Sequence, residues 1–126
     1  MNRMRQEIDR AALAPAILTT DEGEQHFRFA ADFVGFAGHF PDYPILPAIL
    51  QVLLAQLLAE QLAGTRLEFL ALEKAKFSRQ LRPGDEITVK IVFRTREEQI
   101  RCAADLSCGS EQAASFTLLL GEGAKA

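Results

Sequence analysis

One imidazole in this chain, His39, stands in a segment built of glycine, aromatic residues and proline: Phe36-Ala37-Gly38-His39-Phe40-Pro41-Asp42-Tyr43-Pro44-Ile45-Leu46-Pro47. Each proline fixes its own φ and pushes the residue before it toward extended backbone, so the segment is expected to be stiff. A stiff loop that presents a titratable imidazole is suited to proton transfer near neutral pH. By itself a lone histidine among apolar residues is more often a hydrogen-bonded structural residue than a catalyst. The residues around His39 are what favour chemistry. Directly after Pro47 comes a long, largely apolar run that includes Leu53.

The elements that must position this segment can be read from periodicity. Pro47 to Ala63 is predicted to be the central helix, with Pro47 at its first helical position and Gly64 as its stop. Apart from Gln51, Gln56, Glu60 and Gln61 it is apolar on nearly every face, the mark of a helix buried in a protein or a membrane. At roughly 25 Å it is too short for a typical bilayer, so a sheet should bury it. Gln25 to Ala31 alternates as a strand, with Phe27 and Phe29 on one side and His26, Arg28 and Ala30 on the other. His26 reads there as a solvated strand residue. Two short strands are expected around Phe69–Ala71 and Ala75–Ser78. Arg82-Pro83-Gly84-Asp85 reads as a turn, followed by strands over Glu86–Arg94, Ile100–Ser107 and Ala113–Leu120. Upstream, Asn2 to Leu13 forms a helix ended by Pro15, and Ala16 to Thr20 a strand. A strand, a buried helix and then a run of antiparallel strands is an α+β layout.

Composition narrows the classes of function. The 126 residues are 48% hydrophobic and 25% charged, which fits one globular domain over residues 1–126, without internal repeat or linker. A net charge of −3 lacks the basic footprint of a nucleic-acid-binding domain. The polar start, Met1 to Arg10, does not read as a secretory leader, and a cytoplasmic protein is expected. Cys102 and Cys108 have no further Cys or His at ligand spacing, so they read as free thiols, with no metal and no cofactor implied.

Gly38-His39-Phe40-Pro41, then Pro44 and Pro47, then an apolar helix, resembles the signature of the hot-dog-fold 3-hydroxyacyl-acyl-carrier-protein dehydratases. The likeness is greatest to the small dehydratase-like proteins of aryl polyene and related lipid gene clusters, and it covers about Gln25 to the last strand. The family pattern, Gly-His-Phe-Pro-x-x-Pro-x-x-Pro-Gly, is matched through Pro47 and departs at Ala48. The resemblance implies a hot-dog fold, an antiparallel sheet wrapped around one long central helix, and a homodimer with shared active sites. It implies His39 as the catalytic base. Gly38, Phe40, Pro47, Ala48, Leu53 and Gln56 are then candidate substrate-binding positions, with backbone N–H groups near the helix start holding the thioester oxygen. The family's carboxylate, six residues after the last motif proline, is replaced by Leu53. Loss of a positioned acid costs about 10²–10⁴ in rate.

Three functions are compatible with these residues. The first is an acyl-thioester dehydratase or hydratase that retains His39. The second is a non-catalytic subunit that binds an acyl chain or a carrier protein, paired with an active homologue in a heterodimer or higher oligomer. The third is an acyl thioesterase, for which Gly-His-Phe-Pro is not the usual context. Glu60 and Asp42 are the carboxylates that could stand in for the missing acid, although Glu60 lies about 10 Å along the helix from Leu53 and reads as an exposed helix-end residue. Lys74, Lys76, Arg79 and Arg82 form the positive cluster that could dock an acidic acyl carrier protein. An acyl-coenzyme A thioester is the other substrate form expected.

Overall fold

A computed structural model of the chain describes residues 3–36 and 44–122. The order of elements is α1 (Arg3–Ala11), β1 (Ile17–Leu18), β2 (Glu22–Arg28), a 3-10 turn (Val34–Phe36), α2 (Ala48–Ala63), β3 (Leu67–Phe77), β4 (Glu86–Arg96), β5 (Gln99–Cys108) and β6 (Glu111–Glu122). The six strands form one sheet in the order β1-β2-β4-β5-β6-β3, and every neighbouring pair is antiparallel. Two helices accompany the sheet, the short α1 expected upstream and the long α2, rather than one central helix alone. Residues 37–43, which carry Gly38, His39, Phe40 and Asp42, lie outside the described residues.

The long helix follows from its ends and its buried face. Gly64 closes α2 in the left-handed conformation at φ 75°, with its N–H donated to the Glu60 carbonyl at 2.9 Å. Pro47 is the N-cap residue at ψ 150°, one position outside the helix rather than its first residue. The buried positions Gln51, Val52, Leu54, Ala55, Leu58 and Ala59 recur at helical spacing, and α2 contacts β2, β3, β4 and β5. On the other side Ile49 is 76% exposed. No helix among the described residues is long and apolar enough to cross a membrane.

Alternation sets the faces of the central strands. Ile87, Val89 and Ile91 of β4, Ile100, Cys102, Ala104 and Leu106 of β5, and Phe116, Leu118 and Leu120 of β6 are buried in the core, as their period-2 spacing predicts. On β2, Phe27 is buried and His26 is half-exposed, bonded to Glu24 (2.8 Å) and Thr88 (3.1 Å). β3 differs from expectation. It is one strand with register breaks between Phe69 and Ala71 and between Glu73 and Lys76, and Lys74 sits at φ 53°. As the edge strand paired only with β6, it leaves Phe69, Leu70, Leu72 and Phe77 exposed.

Burial in β5 has a measurable consequence. Cys102 is fully buried, and loss of solvation pushes its thiol up from 9.0 to about 12. Below pH 9 the thiol is protonated whether or not the chain is folded, and it leaves stability independent of pH. Between pH 9 and about 12 the unfolded chain releases this proton and the folded chain does not. Stability is therefore lost with rising pH, at up to about 1.4 kcal/mol per pH unit from this group. Urea titrations at pH 8 and pH 10.5 should show a smaller loss in Cys102→Ala than in the parent.

Candidate functional site

The groove between α2 and β3 gathers the helix positions singled out in the sequence. It has a volume of 690 Å³, and Ala48, Leu53 and Gln56 all line it. Ile49, Leu50 and Val52 complete the α2 wall, and Phe69, Leu72 and Phe77 form the β3 wall. Gln56 is the only polar side chain among the described lining residues, and its Nε2 is bound to the Leu67 carbonyl at 3.1 Å. Such a lining favours an extended apolar chain and supplies no carboxylate. Leu53 is half-buried in this wall, so the position where the sequence lacks an acid faces the groove.

The His39 segment itself is outside the described residues, but both of its flanks are fixed. Before it, Phe33 packs edge-on against the buried Phe36 at 5.6 Å. Between them Gly35 lies so near Leu50 and Phe33 that a Cβ would overlap both, which ties this turn closely to α2. After it, the Leu46 N–H is donated to the Leu81 carbonyl at 2.7 Å, directly before Pro47 and the start of α2.

Glu60 is not the exposed helix-end residue that its position suggested. Its side chain is 10% exposed and forms an ion pair with Arg5 of α1, while its Oε2 also accepts the Leu67 N–H at 3.1 Å. It lines a different cavity, of 540 Å³, between α1 and the end of α2. The carboxylate thus joins the two helices and the start of β3, and it is turned away from the groove that contains Leu53. Removing one member of a largely buried pair is costly because the other charge stays behind. Glu60→Gln is expected to lower unfolding free energy by about 2 kcal/mol in urea titrations.

The positive cluster is only partly available. Lys74 and Lys76 are exposed on the β3 edge. Arg79 is engaged by Asp85 at 3.1 Å and Glu111 at 2.9 Å, and its hydrogen bond to Asp85 holds its guanidinium above the usual value despite partial desolvation. Arg82 donates to the Gln80 side chain at 3.3 Å. Among the described residues no group of His, Cys, Asp and Glu is placed to hold a metal ion.

Two features escaped the sequence reading. The β3 wall of the groove was missed because Phe69, Leu72 and Phe77 break strand alternation. Gln51 was noted only as an interruption of an apolar helix, yet it is 4% exposed. Its spacing from Leu54, Ala55 and Leu58 was the available signal, since those residues define the buried face.

With this geometry in view, known proteins can be compared. The family model described as ApeI-like, ApeI dehydratase, matches residues 17–116 of the 126. A 3-hydroxyacyl-[acyl-carrier-protein] dehydratase FabZ of Desulforamulus reducens is 32% identical over 124 residues, covering 90% of this chain and 87% of that protein. The FabZ of Bacillus cereus is 32% identical over 89 residues, covering 63% of this chain. In that match the chain spans 62% of the relative's length. Among solved structures, the dehydratase heterocomplex ApeI:P from Xenorhabdus doucetiae aligns with a TM-score of 0.74 at 22% identity, covering 88% of this chain and 96% of that one. At that identity the likeness speaks for the fold, and the antiparallel six-stranded sheet with its helix is the hot-dog arrangement. The family match extends from β1 into β6, across α2 and both walls of the groove, and the chain belongs to the ApeI-like dehydratase family.

Proposed function

We propose that residues 1–126 form one hot-dog domain, its sheet curled around α2, that binds acyl thioesters as a dehydratase-like protein of fatty acid or related lipid biosynthesis in the cytoplasm. The observation that carries this reading is the α2–β3 groove, in which Ala48, Leu53 and Gln56 meet a wall of exposed apolar β3 side chains. The acyl chain occupies that groove. The thioester oxygen is held at the start of α2, where the first N–H groups have no helical partners. His39 acts as the base that removes the proton α to the carbonyl, and the hydroxyl leaves from the β carbon as it takes up a proton. In this chain Leu53 leaves that last proton without a donor.

Assembly is part of the same reading. Phe69, Leu70, Leu72 and Phe77 on an edge strand form a surface that a second chain would cover, supporting a homodimer. Lys74 and Lys76 are on the same strand and suit an acidic carrier protein as the source of the thioester. A second arrangement is favoured by Leu53 itself. In a heterodimer with a homologue that retains the acid, this chain contributes His39 and the homologue the carboxylate. Turnover of 3-hydroxyacyl and crotonyl thioesters, by the chain alone and mixed with such a homologue, tests the proposal. Activity restored only in the mixture supports the shared site. Failure of the chain to bind any acyl thioester, alone or mixed, overturns the function.

A further inference from the structure

The start of α2 holds a second cavity beside the apolar groove, with a few polar side chains in a largely apolar lining. It has a volume of 280 Å³ and is lined by Pro47, Ala48, Gln51, Phe77, Arg79 and Gln80 among others. Pro47 gives α2 no side-chain cap, and neither the Ala48 nor the Ile49 N–H has a hydrogen-bond partner among the described residues. One turn into the helix is Gln51, 4% exposed, whose Nε2 donates to the Leu46 carbonyl at 3.1 Å. A carbonyl only accepts, so this bond fixes which way the amide faces. Its Oε1 is buried and has no hydrogen-bond partner among the described residues. A buried acceptor left without a donor carries a desolvation penalty, which a ligand can relieve.

The kind of donor follows from the relation of the two cavities. Ala48 and Phe77 line both, whereas Leu53 lines only the larger groove and Gln51 only the smaller cavity. Two residues apart on a helix, Gln51 and Leu53 point in roughly opposite directions. An acyl thioester lying across the start of α2 would place its acyl chain, with any 3-hydroxyl, on the Leu53 side. Its thiol portion would then enter the cavity lined by Gln51. In both carrier-protein and coenzyme A thioesters that portion continues from sulfur through two methylenes to an amide, whose N–H is a neutral donor. Resting on the acyl-thioester reading above, we propose that Gln51 is a specificity residue whose Oε1 accepts the hydrogen bond of this amide N–H.

The test needs two probes differing at one atom: butyryl-N-acetylcysteamine thioester, and the matched thioester in which an ester oxygen replaces the amide N–H. Isothermal titration of the intact protein is expected to give a Kd about five- to tenfold lower for the amide probe. Gln51→Met, with its fold checked by thermal melting, should bring the two Kd values together by weakening the amide probe alone. If that variant fails to fold, the comparison in the parent protein still decides. Equal Kd values in the parent overturn the role of Gln51 and leave the acyl-thioester reading standing, as would be found if water satisfies Oε1. Binding of neither probe overturns both.

Discussion

Leu53→Glu is expected to raise dehydration of a 3-hydroxyacyl thioester by about 10²–10⁴-fold over the parent chain. Leu53 is half-buried on the α2 wall of a groove whose other walls are aliphatic and aromatic, with Ala48 and Gln56 lining the same space. A carboxyl placed there is surrounded by little that would stabilise its charge. Desolvation raises its affinity for a proton and makes it a better donor to a departing hydroxyl near neutral pH. A half-buried position tolerates the change better than a core position such as Leu54, which is fully buried. Spectrophotometric turnover on 3-hydroxybutyryl thioester, with folding confirmed by circular dichroism, reads the effect. An unchanged rate in a folded Leu53→Glu protein would show that the site lacks more than the acid.

The second large effect is expected at His39. In the Leu53→Glu background, His39→Ala should remove most of the gained rate, a loss of about 10²–10⁴-fold, because the proposed acceptor of the α proton is then gone. Asp42 is the nearest carboxylate in sequence, and a His39/Asp42 comparison separates the two: Asp42→Asn should leave the rate within a few-fold. Thioester binding should survive His39→Ala, since the apolar groove rather than the imidazole holds the acyl chain. A drop in kcat with little change in KM would follow. Equal rates with and without His39 would remove the imidazole from the chemistry.

How far the sequence carried this account depended on whether a signal was local. α2 was legible to within one residue because Pro47, an apolar run and Gly64 mark its ends with backbone chemistry of their own. β4 and β5 were legible because each has one face in the core, which imposes alternation, and β6 because its Phe116, Leu118 and Leu120 keep that period even where its neighbours are also buried. β3 was not, since an edge strand with two register breaks has no single buried face to impose a period. Its exposed phenylalanines and leucines belong to a surface that only the assembled sheet defines. Glu60 was misread for a related reason. Its partner Arg5 is 55 residues away in sequence, and nothing near either residue announces the pair. The Gly-His-Phe-Pro motif was the most legible feature, whereas the groove became visible only once α2 and β3 were side by side.

Photoaffinity labelling with an acyl thioester carrying a diazirine at the end of its chain, followed by peptide mass spectrometry, locates the acyl chain in the protein. Labels confined to α2 around Ile49–Gln56 and to β3 around Phe69–Phe77, and displaced by excess unlabelled thioester, are the predicted result. Displaceable labels concentrated instead at the cavity between α1 and the end of α2, on residues such as Ile8, Leu57 and Gln61, would contradict it.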